Sequence, residues 1–202
     1  TSFSLAVKML STSIRTDIYN IYGFVRFADE IVDSFHEYDK AQLLVNFEKD
    51  YYLSKELGIS LKFVLETHVH ADHITGADDI RKATGAKVVY GAFAQVPCAD
   101  VNAKDGDTLK FGKSSIKIIS TPGHTDGCTT YYIDDMIFTG DTLLIRGCGR
   151  TDFQQGSSDA LYHSVTQKLF TLPKNTKVFP AHDYKGNEMS TIEEETKFNA
   201  RL

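Results

Sequence analysis

The sequence has no tryptophan, three cysteines and little basic charge among its 202 residues. The cysteines Cys98, Cys128 and Cys148 are odd in number and form no C-x-x-C pair. This pattern argues against a disulfide framework and indicates a reducing compartment. The formal net charge of -5 and the lack of a Lys/Arg block argue against nucleic-acid binding. No apolar run approaches the roughly 18 residues of a membrane span, so we expect no membrane segment.

No charged-then-apolar leader opens the chain, which begins at Thr1 without a methionine. We therefore expect a cytoplasmic protein, or one of an organellar matrix if a leader has been lost. With 42% hydrophobic and 24% charged residues, the composition suits one globular domain or one domain with an appendage.

Two parts of the chain differ in the period of their apolar residues. From Ile14 to Phe35 the spacings alternate between four and three, which is typical of a helix. A second helix is predicted from about Asp39 to about Leu57. Residues 1–52 therefore form a predicted helical segment, and 53–202 a predicted mixed α/β domain.

The mixed part alternates short strand patterns with helix patterns. A helix is predicted to end at Gly85, another to begin with Ser157 or Ser158 as its N-cap, and a last one to follow a capping box of Ser190 and Glu193. The strands are predicted in the segments LKFVLETH, KVVYG, DTLKFG, SSIKIISTPGH, CTTYYIDD, MIFTGDTLL and KVFPAH.

Histidines follow the predicted strands. Of seven, only His36 and His163 lie on predicted helices, where a solvated or structural role is favoured. The rest follow strands, as does Asp141, and strand ends can direct side chains toward one point. Imidazoles and carboxylates that converge in this way predict a divalent metal site. The histidines after strands are His68, His70, His73, His124 and His182.

The series H-x-H-x-D-H, PGHT, TGD and PAHD resembles the metallo-β-lactamase superfamily. This resemblance implies an α/β (α+β) fold, a four-layer αβ/βα sandwich with metals at one edge of two packed sheets. We find no counterpart of the strands that open this fold before the first histidine motif. The predicted architecture is thus a sandwich without its usual first strands, preceded by the helical segment.

The stretches FTGDTLLIRGCGRTDFQQG and PAHDYKG resemble the persulfide dioxygenases of this superfamily, from about Leu57 to Leu202. The resemblance implies one Fe(II) per chain held by His68, His124 and Asp141, the two-histidine, one-carboxylate set of non-haem iron oxygenases. It also implies glutathione persulfide and O2 as substrates. The remaining polar residues of the motifs would orient ligands, or bind a second metal in a hydrolase. They are His70, Asp72, His73 and His182.

Glutathione carries two carboxylates, which cationic donors bind well. The candidates for substrate binding are Arg146, Arg150, Tyr184 and Lys185. A structural role remains open for each, and Arg150 could equally pair with Asp152. For Cys148, burial as a small side chain is favoured over a redox role.

Residues 1–52 resemble squalene/phytoene synthases, and YGFVRFADEIVDS is similar to their first aspartate-rich motif. Asp29 and Asp33 are spaced to lie on one helix face, where they could share Mg²⁺. The sequence offers no second such motif in a matching context, so we predict no prenyl transfer. The chain thus looks like a join near residue 52 of two unrelated families, which could be natural, artefactual or engineered.

Alternatives remain to the iron dioxygenase. One is a di-zinc thioester hydrolase of the glyoxalase II type. We do not expect the helical C-terminal substrate domain of those enzymes, because the sequence ends soon after PAHDYKG. The others are a non-catalytic fusion or truncated chain, whose helical segment serves association, and a vestigial prenyl-transfer fragment. A homodimer is left open.

Overall fold

The computed structural model describes residues 58, 60–71, 74–183, 185–187 and 189–202. The predictions that fall outside these residues are the helices of the first 57 positions, the Asp29/Asp33 pair, and the site candidates Asp72, His73 and Tyr184.

A three-stranded parallel sheet comes first along the described chain. Its strands are β1 (Phe63–Leu65), β2 (Lys87–Gly91) and β3 (Val101–Ala103), in that order, and Val64 aligns with Val88. Helix α1 (Ala77–Thr84) connects β1 to β2, and a short 3₁₀ turn follows β2. Within the described residues no strand precedes β1.

A six-stranded sheet follows, with its strands in sequence order. Neighbours are antiparallel except β7 and β8, which are parallel. A helix precedes β8 and another follows β9. The elements are β4 (Thr108–Phe111), β5 (Ser114–Ser120), β6 (Thr129–Ile133), β7 (Met136–Gly140), α2 (Ser158–Ser164), its π-helical continuation (Val165–Leu169), β8 (Lys177–Pro180), β9 (Ser190–Thr191) and α3 (Ile192–Phe198).

Alternating apolar residues build a core on each face of the larger sheet. Ile118 and Phe138 face the smaller sheet and pack with Leu65 and Val89. Ile119, one position along β5, lies in the cluster that α2 and α3 cover. A third cluster joins α1 to the outer face of the smaller sheet. The layers run helix, sheet, sheet, helix, which confirms the predicted αβ/βα sandwich.

Most predicted elements are confirmed. The C-cap of α1 is Gly85, whose positive φ of 75° suits glycine. Ser157 is the N-cap of α2, because its side chain accepts a hydrogen bond from the backbone of Ala160. None of the described helices has the length and apolar content that crossing a bilayer requires.

Two local predictions differ from the structure. The capping box of Ser190 and Glu193 is wrong, because Thr191 caps α3 by accepting from the backbone N of Glu194. The Ser190 hydroxyl donates to the carboxylates of Glu194 and Glu195 instead. Strand β3 was not predicted, since it is very short and forms by pairing with β2.

Candidate metal centre

The ends of several strands meet at one edge of the sandwich. Strands β5, β7 and β8 run in the same direction, so the segments that follow them emerge together. These segments carry His124, Asp141 and His182. The segment after β1 is joined to this edge by a 2.8 Å hydrogen bond from the backbone N of Thr129 to the carbonyl of Thr67. That bond brings His68 to the same place.

His68, His124 and Asp141 form a compact group. One ligand atom from each lies within 4.8 Å of the others, and the group could hold a metal ion. The rings of His68 and His124 are 5.0 Å apart, edge to face. His68 is buried, and the other two side chains are largely buried.

A backbone carbonyl fixes the tautomer of His124. Its Nδ1 lies 2.8 Å from the carbonyl oxygen of Arg150. Since a carbonyl oxygen can only accept, Nδ1 carries the proton and donates. In neutral His124 the lone pair is therefore on Nε2, the atom 3.6 Å from Asp141 Oδ2. The hydrogen bond from Nδ1 to the Arg150 carbonyl is of the kind that orients metal-binding histidines.

His68 is positioned by the residue that precedes it. Its Nδ1 lies 3.0 Å from the hydroxyl of Thr67. Gly140, with φ of 54°, passes so close that a Cβ there would lie 2.5 Å from the Thr67 hydroxyl. The end of β7 therefore packs directly against the residue that precedes His68.

The carboxylate of Asp141 suits a cation. Its Oδ1 is buried and makes no hydrogen bond with any described residue. His182 Nε2 is 3.6 Å from that oxygen, too long for a hydrogen bond. A buried carboxylate oxygen without a donor is costly unless a cation neutralises it. Together with imidazole nitrogens, this oxygen fits Fe(II) or Zn²⁺.

Two histidines predicted to orient ligands or to bind a second metal lie beside the group. The ring of His70 is 4.3 Å from that of His68. His182 is largely buried and faces Asp141. Lys185 is exposed, and its backbone N donates to Asp183. Asp72, His73 and Tyr184 lie outside the described residues.

The two arginines predicted to bind the substrate form ion pairs with carboxylates of this chain. The guanidinium of Arg146 pairs with Glu194 and Glu195 of α3. Arg150 forms a two-pronged pair with Asp152, at 2.8 and 2.9 Å, and both side chains are mostly exposed. This pairing lowers the pKa of the Asp152 carboxyl, mainly through the hydrogen bonds from Arg150.

Several residues near the group were not among the predicted site residues. Cys128 is buried, and its sulfur lies 3.2 Å from both the backbone N and the hydroxyl of Thr125. Burial raises the pKa of the Cys128 thiol, which keeps it neutral. Burial likewise raises the pKa of Cys148. Gly149 and Gln154 contact the segments that carry the ligands, and nothing in their sequence spacing predicts these contacts.

Known proteins resemble this chain in two separate parts. The sequence model described as the Metallo-beta-lactamase superfamily matches residues 92–182. The model described as Squalene/phytoene synthase matches residues 1–78, which confirms the predicted resemblance of the opening segment. This match extends past the join placed near residue 52, and that division stays a prediction.

The mitochondrial persulfide dioxygenase ETHE1 of Bos taurus is 48% identical over 163 residues, which are 79% of this chain and 64% of that protein. The chain thus spans just under two thirds of this relative. The crystal structure of ETHE1 from Myxococcus xanthus has a TM-score of 0.71 and 45% identity, covering 76% of this chain and 68% of that one. The hydroxyacylglutathione hydrolase of Brucella ovis is 36% identical over 159 residues, 72% of this chain and 61% of that protein.

Proposed function

Because the chain belongs to the metallo-β-lactamase superfamily, we propose that it is a persulfide dioxygenase with one non-haem Fe(II) per chain. Glutathione persulfide and O2 are its proposed substrates. In the proposed reaction, O2 and one water supply the oxygens of sulfite, the persulfide S–S bond breaks, and glutathione leaves as the thiol. The outer sulfur is oxidised and O2 is reduced, so no other oxidant is needed.

The group of His68, His124 and Asp141 carries this proposal. Two imidazoles and one carboxylate within 4.8 Å of one another are the donor set of non-haem Fe(II) oxygenases. Bound Fe(II) would supply open coordination positions at which a persulfide sulfur and O2 react side by side. The chain itself supplies orientation: Arg150 fixes the tautomer of His124, and Thr67 contacts His68.

Arg150 is the better of the two arginine candidates for binding the substrate. Its carbonyl contacts His124, and its side chain lies in solvent beside Asp152. A carboxylate of glutathione could replace Asp152 with the same fork geometry. Arg146 forms an ion pair with the buried carboxylate of Glu195, which favours a structural role. Lys185 remains a candidate, because its side chain is exposed near the strand end that bears His182.

A di-zinc thioester hydrolase is the second candidate. His182 lies 3.6 Å from Asp141, and the ring of His70 is 4.3 Å from that of His68. These extra donors could belong to a second metal. In the dioxygenase they would orient ligands or support the site by hydrogen bonds.

Metal content and oxygen consumption test the proposal. Purified full-length protein should contain one iron per chain, and the Fe(II)-loaded protein should consume O2 with glutathione persulfide. Asp141→Ala should lose more activity than the roughly 10- to 100-fold typical for groups that only orient a ligand. Asp126→Ala, at a nearby exposed carboxylate, is the control and should keep full activity.

Other results would separate the alternatives. Two zinc ions per chain with hydrolysis of a glutathione thioester would favour the hydrolase. A folded chain that binds no metal would favour a non-catalytic role. For the opening segment we propose no prenyl-transfer activity. For the protein we propose a reducing compartment, either the cytoplasm or an organellar matrix.

A further inference from the structure

One loop, residues 149–157, contacts the three segments that carry His68, His124 and Asp141. We call it the clamp loop. The backbone N of Gly149 donates to the carbonyl of Asp141 at 2.7 Å. The carbonyl of Arg150 accepts from His124 at 2.8 Å. The side-chain Nε2 of Gln154 donates to the carbonyl of Val69 at 3.0 Å.

The contact to Val69 differs from the others because it crosses between distant parts of the chain. Val69 lies between His68 and His70, in the segment after β1. The preceding residue, Thr67, is held on the sheet side by the backbone N of Thr129 at 2.8 Å. His68 is therefore fixed on both sides, by the sheet through Thr67 and by the clamp loop through Val69.

The backbone at Gln154 is held in an unfavourable conformation. Gln154 has φ of 48° and Gln155 φ of 58°, both in the left-handed region that residues other than glycine seldom adopt. The next residue must be small, because a Cβ on Gly156 would lie 2.4 Å from the carbonyl of Thr151. This tight turn directs the partly buried Gln154 side chain to Val69, whereas Gln155 is exposed and makes no hydrogen bond with a described residue.

We infer that Gln154 is a positioning residue that holds the His68 segment in ligand geometry through the carbonyl of Val69. The inference rests on the proposed metal site, but not on which metal or substrate that site takes. Without the donor amide, the Val69 carbonyl would turn toward solvent. The backbone on the C-terminal side of His68 would then no longer be held by the clamp loop. The imidazole would then have to be ordered when the metal binds, which weakens binding.

Cobalt(II) is a suitable probe, because its visible spectrum reports the number and arrangement of ligands. The test variant is Gln154→Met, which keeps the length of the side chain and removes its donor. Gln155→Met is the matched control, since it makes the same change at the neighbouring left-handed residue. For the metal-free full-length chain and both variants, we would measure Co(II) affinity by chelator competition, the Co(II) spectrum, and urea unfolding.

Gln154→Met should bind Co(II) about 10- to 100-fold more weakly with an altered spectrum, whereas Gln155→Met should match the wild type. Gln154→Gly also removes the amide but suits the left-handed backbone, so it should fold well and show the same loss. Wild-type affinity and spectrum in the Gln154 variants, with only a change in urea unfolding, would overturn the inference. An equal loss in Gln155→Met would also overturn it. If the wild-type chain bound no Co(II), the proposed metal site itself would fail.

Discussion

At the scale of single residues, the candidate metal centre depends on close approaches between backbone segments. Gly149 passes so near Asp141 that a Cβ would lie 2.3 Å from the Asp141 carbonyl and 3.0 Å from His124 Nδ1. Gly147, in the same short stretch, has room, since its Cβ would meet Leu144 at 3.9 Å. Substitution of Gly149 can therefore be tested with Gly147 as its matched control.

We predict that Gly149→Ala displaces Asp141 and His124, because the added methyl collides with backbone rather than with a flexible side-chain end. Metal affinity and oxygen consumption should fall by at least about 10-fold. Gly147→Ala should leave both unchanged. Equal behaviour of the two variants in metal titration would contradict this account of the loop.

At the scale of elements, a buried carboxylate joins α3 to the loop after β7. Glu195 is fully buried and accepts hydrogen bonds from the backbone N and guanidinium of Arg146, from Ser190 and from Asn199. Arg146 itself has φ of 59°, so the loop is held in a strained conformation at this point. Asn199 also donates to the carbonyl of Gly147 at 2.9 Å. The last helix therefore supports the loop that leads into the clamp loop.

Glu195→Gln should lower the free energy of unfolding by about 3 kcal/mol, because it places an amide among donors and leaves the Arg146 guanidinium with only the half-exposed Glu194 as a counter-charge. Urea denaturation measures this change. Glu193→Gln on the same helix removes an exposed pair with Lys197 and should leave the free energy of unfolding nearly unchanged. If Glu195→Gln changed the free energy of unfolding as little as Glu193→Gln does, the hydrogen bonds to Glu195 would contribute little to stability.

At the scale of the whole molecule, the candidate ligands come together because the two sheets are fixed against each other. The hydroxyl of Tyr131, on β6 of the larger sheet, donates to the carbonyl of Glu66 beyond β1 at 2.7 Å. The backbone bond between Thr129 and Thr67 runs alongside. Glu66 and Thr67 directly precede His68, so these bonds set the distance between His68 and the candidate ligands that follow strands of the larger sheet.

Tyr131→Phe should lower the free energy of unfolding by about 1 to 2 kcal/mol, since it leaves a buried carbonyl without this donor. Metal affinity should fall with it, as His68 becomes less well placed. In Tyr132→Phe, on the opposite face of β6, the lost hydroxyl has no hydrogen bond to a described residue, and the change should stay within about 0.5 kcal/mol. Calorimetry with and without metal measures both effects; a Tyr131 variant as stable as wild type would refute the link.

The sequence alone determined the strand pattern and the position of histidines at strand ends, whereas the layers and the candidate ligands are what the family resemblance implied. Period-two apolar residues such as Ile116 and Ile118 predict strands, and the residues after strand ends predict a shared edge. His68, His124 and Asp141 follow from these patterns together with the family motifs. The proposed activity rests on the family resemblance, which covers the mixed part of the chain and not the opening segment.

Only the tertiary structure decided how those ligands are held. Gln154 and Val69 are 85 positions apart, and Glu195 and Arg146 are 49 apart. No local pattern encodes such pairs, because they arise when separate elements pack. The same holds for β3, which exists through its pairing with β2, and for the choice of Thr191 over Ser190 as the cap, since the Ser190 hydroxyl bonds the buried Glu195. Local periodicity fixes which face of an element is apolar, whereas packing fixes which polar atoms meet.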